Sequence, residues 1–183
     1  MKPACSTLAA LVLAWAPLMA AAHALPPSTV DVTTGPASVG LALTIPQDEL
    51  AIVLPVVAGA DPDAVMPQAV AAAVADYLAR HVFLTGAGKF GLDLTVSEIR
   101  FATVAQQDLG QIAVVAVDLR ADLPAALVGL PLTLRYDAVL HEVRNHSATV
   151  TLHRAGGPAV MVGDIRFDPA LGRAMPVVFL ATP

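Results

Sequence analysis

From Gly91 to Leu180 the chain keeps returning to an alternation of apolar with polar or small residues, and a period of two confines such a stretch to β-strands. Leu92, Leu94 and Val96 alternate with Asp93, Thr95 and Ser97. Ile112, Val114 and Ala116 alternate with Ala113, Val115 and Val117, and Leu132, Leu134 and Tyr136 with Thr133, Arg135 and Asp137. The pattern predicts strands over 91–103, 111–120 and 131–140. Two further runs, 148–154 and 159–167, flank Ala155-Gly156-Gly157-Pro158, a hairpin connection with glycines where positive φ is needed. A last run, 177–180, closes the sheet.

Upstream the texture is mixed. Residues 38–45 place Val39, Leu41, Leu43 and Ile45 on one side of a strand that Pro46 ends. Residues 47–57 fit a helical turn followed by a strand, or a buried strand throughout. The clearest helix is expected over 62–81, with Asp61 as N-cap, Pro62 at the first helical position and Val70, Val74, Tyr77 and Leu78 as its apolar stripe. A short strand over 82–85 and a turn at Gly86-Ala87-Gly88 follow. Together these elements predict an α+β fold: a mainly antiparallel β-sheet or sandwich with one principal helix.

The first 24 residues read differently. Lys2 precedes an apolar run, Leu8 to Ala22, that ends in Ala22-His23-Ala24, the pattern of a cleaved secretory signal. The run is short for a membrane span of about 20 residues. Residues 25–37, Leu-Pro-Pro-Ser-Thr-Val-Asp-Val-Thr-Thr-Gly-Pro-Ala, are expected as an extended N-terminal lead because three prolines interrupt them. The remainder, 38–183, is expected as a single β-rich domain, working in the periplasm or outside the cell. Its later apolar stretches are broken by charge, Gly or Pro every few residues, so none spans a bilayer.

Export and composition narrow the chemistry. Cys5, the only cysteine, lies in the signal, so the mature chain forms neither a disulfide nor a thiolate metal site. Past residue 24 there are nine Lys plus Arg, scattered singly between Arg80 and Arg173, against 15 Asp plus Glu. The balance of about −6 and the absence of basic clusters exclude a phosphate-backbone partner. The mean hydropathy of +0.70 points to an Ala- and Val-rich core or to an apolar surface that docks on a partner.

Four histidines remain, His81, His141, His146 and His153, and neutral imidazole is the commonest protein ligand for nickel, copper or zinc. If residues 144–147 turn the chain between two paired strands, His141 and His153 share a face and Glu142 points away. His141, His146 and His153 are therefore the candidate metal ligands. Nucleophilic catalysis has little to stand on: there is no Gly-x-Ser-x-Gly elbow, and Ser28, Ser38, Ser97 and Ser147 have no evident base partner. Asp118 with Asp122, and Asp164 with Asp168, read as solvated strand or turn residues. Gly86-Ala87-Gly88-Lys89 lacks the glycine spacing and the Ser or Thr of a phosphate loop. Tyr136 reads as a core residue with its hydroxyl at a rim.

The helix ending Ala75-Asp76-Tyr77-Leu78-Ala79-Arg80, then Val82-Phe83-Leu84-Thr85, Leu92-Asp93-Leu94-Thr95-Val96 and Leu132 to Leu140 with His146 beyond, resembles the exported soluble region that precedes the membrane helices of HupE/UreJ-like proteins. The similarity runs from about Val39 to Arg154. In that family the membrane portion is associated with nickel supply to hydrogenase and urease. No membrane helices follow here up to Pro183, so transport is not carried over. Some relatives have a calcium-loop-like segment ahead of the helix; here only Asp61 and Asp63 match, with Val65, Met66 and Ala72 where an oxygen ligand, the turn glycine and the bidentate acid belong. The resemblance implies a binding or accessory module with a membrane or periplasmic protein partner, without cofactor and without enzymatic activity. Metal handling by the histidines is the alternative.

Overall fold

A computed structural model describes residues 26–106 and 109–182. The signal expected over 1–24 lies outside the described residues. The first described element, β1 (Ser28–Thr34), is where the structure departs furthest from the sequence reading. Ser28, Val30, Val32 and Thr34 are buried on one side, and Thr29, Asp31 and Thr33 face the other. The segment expected as a lead is extended, but it is a sheet strand. β2 (Ser38–Pro46) returns antiparallel to it, with Val39, Leu41, Leu43 and Ile45 buried.

Residues 47–57 form two helical pieces instead of a turn and a strand: α1 (Gln47–Val53) and a 3₁₀ turn over Pro55–Val57. The principal helix, α2 (Gln68–Leu78), is shorter than the 62–81 expected. Pro67 explains the difference, since it disfavours the helical conformation at Met66 and holds the start at Gln68. Asp61 caps only its own turn, accepting the Asp63 N–H at 2.9 Å. The helix buries Val74, Tyr77 and Leu78 with Val70 packed partly against the core, which is the stripe expected.

The rest is β. β3 (Val82–Thr85), β4 (Gly91–Leu92), β5 (Thr95–Gln106), β6 (Gly110–Asp122), β7 (Pro131–Tyr136), β8 (Ser147–Arg154), β9 (Val160–Asp168), β10 (Arg173–Ala174) and β11 (Val177–Leu180) follow in order. Gly88 (φ 74°) and Gly156 (φ 70°) take the left-handed conformation in the two glycine turns the sequence marks.

Two sheets form. The larger runs β10-β9-β8-β1-β2-β6-β5, and the smaller β11-β7-β3-β4. Every pairing is antiparallel except β1 with β8. One core joins them, contributed by Val30, Val32, Leu41, Leu43, Val150 and Leu152 from the large sheet and Leu84, Leu132, Leu134 and Phe179 from the small one. Leu50 of α1 and Val74 and Leu78 of α2 enter the same cluster. The fold is thus α+β and sandwich-like, as expected. No helix among the described residues is long and apolar enough to cross a membrane.

The strand expected over 131–140 stops at Tyr136. Val139 takes φ 66°, rare for a β-branched residue, and the chain turns there. Ala138, Val139 and Leu140 are each fully buried, so the turn is held inside the core. β7 and β8 consequently lie in different sheets.

Because β1 alone connects the β8 side of the large sheet to the β2 side, removing residues 26–34 is expected to abolish cooperative thermal unfolding. A true lead could be trimmed with little change in melting temperature, and circular dichroism on the shortened chain separates the two outcomes.

Candidate functional site

Residues 137–146, between β7 and β8, gather most of the chain's unusual chemistry. Because Ala138, Val139 and Leu140 anchor the segment in the core, its polar residues are held in fixed positions on either side of that anchor. Asp137 and His141 meet the end of α2; His146 is directed into the interior.

On the first side Tyr77, His81, Asp137 and His141 form a half-buried cluster. The Tyr77 hydroxyl accepts the Val139 N–H at 2.8 Å. His81 Nδ1 lies 2.7 Å from Asp137 Oδ1, and His141 Nδ1 is 3.0 Å from the Asp137 carbonyl oxygen. An ionised carboxylate and a carbonyl only accept, so both Nδ1 atoms donate, and the Nε2 of each neutral ring carries the lone pair. The two imidazoles stack with centroids 4.3 Å apart and planes 13° from parallel, and Tyr77 lies 4.4 Å from the His81 centroid. Lone pairs in near-parallel stacked planes do not converge on one ion, so the stack is not a chelate. Burial pushes the Tyr77 hydroxyl up to about 12, against the opposing effect of the Val139 amide.

On the second side a hydrogen-bonded chain runs wholly inside the protein. The Tyr136 hydroxyl donates to Ser28 Oγ at 3.1 Å, and Ser28 Oγ lies 2.8 Å from His146 Nε2. His146 Nδ1 contacts Glu49 Oε2. Ser28 is 0% exposed, Tyr136 1%, His146 2% and Glu49 4%. Burial pushes the Tyr136 hydroxyl far above its ordinary range, with the Ser28 contact acting in the opposite direction, so it stays a donor at physiological pH. The order carboxylate, imidazole, hydroxyl is that of an activated nucleophile. Ser28, however, is sealed in the core beneath the Tyr136 hydroxyl. The arrangement instead ties together β1, α1, β7 and the turn before β8.

The three histidines expected as metal ligands go to three places. His141 joins His81, which lies outside the expected set; His146 is buried against Glu49 and Ser28; His153 faces solvent on the large sheet, with Nε2 2.8 Å from Asp31 Oδ1. The parity argument that paired His141 with His153 fails because it required β7 and β8 to be neighbours. Among the described residues no group of three or more His, Cys, Asp or Glu is placed to hold a metal ion. Tyr136 also corrects its expectation, since its hydroxyl ends at Ser28 and not at a rim.

The carboxylate pairs fall where alternation places them. Asp118 is 3.3 Å from Arg100, Asp164 accepts from Thr149 Oγ1 at 2.9 Å, and Asp168 accepts the Ala170 N–H at 2.8 Å. Missed by the sequence reading were Glu49, Ser28 and His81. Only the HVFLT and RYDAV segments, brought together as β3 and β7, offered a hint for His81: the register pairs Val82 with Tyr136, and Asp137 N–H donates to the His81 carbonyl at 3.0 Å.

Compared with known proteins, the chain matches no family model and no curated protein.

His146→Ala leaves the Glu49 carboxylate buried without its partner and is expected to cost about 3–5 kcal/mol in urea unfolding. His153→Ala removes a partly exposed pair and is expected to cost less than about 1 kcal/mol. Tyr77 has a raised folded-state value, so its contribution is fully present below the ordinary tyrosine range near 10 and is lost as pH rises from there through about 12. Tyr77→Phe should therefore flatten the alkaline decline in melting temperature, and should also lower stability at neutral pH by leaving the Val139 amide unpaired.

Proposed function

We propose that the protein is an exported, non-enzymatic binding or accessory module that docks on a membrane or periplasmic protein partner. The observation that carries this reading is the outer face of the small sheet. Along β11, Val177 and Phe179 point inward while Val178 (58% exposed) and Leu180 (46%) point outward. Directly paired residues share a face of an antiparallel sheet. Val178 therefore stands beside Thr133, Leu180 beside Pro131 and Phe83 beside Arg135. The Arg135 guanidinium sits over the Phe83 ring, 5.2 Å from its centroid. A sheet face with Phe, Val, Leu and Pro facing water, broken by one stacked cation, has the mixed apolar and aromatic-plus-Arg composition that interfaces favour.

Two further points support the reading. Among the described residues the nucleophile-like constellation is closed to substrate, which favours binding over catalysis. The resemblance to a soluble region that relatives carry ahead of membrane helices favours an envelope partner. Metal handling by His141, His146 and His153, the alternative raised by the sequence, has no comparable support.

A photo-crosslinking residue placed at Val178 in the native host is expected to give one discrete protein adduct, lost when Phe83→Asp is added. The same residue at Thr33, on the solvent-facing side of the large sheet, is expected to give none. Equal yields at the two positions, or none at Val178, would overturn the proposal.

A further inference from the structure

We propose that two copies of this chain associate edge to edge through β5, antiparallel about a twofold axis at Ala102, so that one sheet runs through both. β5 ends the large sheet, and its one strand neighbour among the described residues is β6. The other sheet ends are blunted by brevity: β10 and β4 have 2 residues each and β11 has 4, against 12 in β5. Among the described residues, no backbone group outside β6 is hydrogen-bonded to residues 95–105. An antiparallel strand turns alternate pairs of N–H and C=O groups away from its neighbour, so the outer side of β5 is a row of open donors and acceptors.

Native proteins blunt such edges with charge, proline or a bulge. β5 has these devices only in its first half. Its register with β6 shifts between Val96 and Glu98, and Glu98 and Arg100 are ion-paired 3.3 Å apart. Residues 101–106 carry neither charge nor proline, and neither do their partners, 110–115. β2 covers β6 only over 114–122, so past Val114 the sheet continues as a ribbon of two strands, in which Thr103 faces Ala113, Val104 faces Ile112 and Ala105 faces Gln111. A two-stranded ribbon is marginal alone, and a third strand stabilises it.

The edge itself selects a second copy as that strand. Residues directly opposite in an antiparallel pair share a face, so a twofold pairing places its axis on a residue. An axis at Glu98 or Arg100 sets like charges against each other, and one at Ile99 runs into the bulge at Ser97. An axis at Ala102 matches the regular run, 98–106, end to end. Arg100 then lies opposite Val104 of the second copy, Ile99 opposite Ala105, and Glu98 opposite Gln106, whose amide donates to the carboxylate. On β6 the direct neighbour of Glu98 is Asp118, a like charge, so a donor on its open side is favourable. The contact forms twice, and each ribbon is laid against the regular sheet of the other copy. The inference stands on this edge of the large sheet and does not depend on the docking face of the small one.

The test is sedimentation velocity with light scattering on the full mature chain at micromolar concentration, where a closed dimer is expected. Ala102→Lys sets two lysines face to face at the axis and is expected to weaken association about tenfold, with an unchanged circular dichroism spectrum. Past residue 24 the chain has no cysteine, so Ala102→Cys supplies a positive signal. Opposite Cα atoms lie about 4.5–5.5 Å apart, within the roughly 4.4–6.8 Å that a disulfide spans, and mild oxidation is expected to give a covalent dimer. Thr33→Cys, on the solvent-facing side of the same sheet, is expected to give none under the same oxidation. A chain that stays monomeric would overturn the inference. So would association unchanged by Ala102→Lys, a mass that grows beyond the dimer, equal crosslinking at the two cysteines, or a dimer lost with Phe83→Asp, which belongs to the small sheet.

Discussion

The architecture depends on β1. This strand is antiparallel to β2 on one side and parallel to β8 on the other, and it alone joins β8, β9 and β10 to β2, β6 and β5. Its inward residues, Val30 and Val32, are completely buried, so the junction is both hydrogen-bonded and apolar. A parallel neighbour needs a long crossover. Here that crossover runs from Thr34 to Ser147, and β2 to β7 and both helices are built within it, while β11 returns afterwards to complete the small sheet. The early part of the chain is therefore placed by its last third.

The buried polar chain sits at the first residue of that same strand. Ser28 holds the end of β1 between Tyr136 of β7 and His146 ahead of β8, and Glu49 closes the line from α1. Taking a carboxylate and an imidazole out of water is expensive, and apolar residues of the same volume often give equal or greater stability. Directional bonds between four separate elements supply what apolar contacts do not, a defined position for each element relative to the others. The Tyr77, His81, Asp137 and His141 cluster does the same for the end of α2, on the other side of the fully buried Ala138–Leu140 anchor.

Much of the secondary structure was legible because its cause is local. The stripe of α2 follows from 3.6-residue spacing, and β8, β9 and β11 were placed within a residue or so by alternation and by the glycines at 156 and 157. β1 carries the same alternation, but Pro26, Pro27 and Pro36 bracket it, and proline-rich flanks read as a tether when nothing shows what the strand pairs with. The helix start was misplaced for the opposite reason: Asp61-Pro62-Asp63 is a sound local signal that Pro67 overrides a turn later. The site was hardly legible at all. Ser28 and His146 are 118 residues apart, and no spacing rule relates them. His146 read as a turn residue because it lies in the polar run Arg144-Asn145-His146-Ser147 between two strand patterns; its burial comes from what α1 and β1 bring to it.

By itself, then, the amino-acid sequence determined the elements and the class: a cysteine-free body past residue 24, held by aliphatic packing, in which one principal helix interrupts a succession of mostly antiparallel strands. Those properties depend on residues two to four positions apart, whose side chains share a face whatever the rest of the chain does. Only the tertiary structure decided which strands are neighbours, which histidines are buried, and that the Glu49–His146–Ser28–Tyr136 chain exists. Each is a meeting of side chains from distant segments, and such a meeting is set by the free energy of packing the whole core.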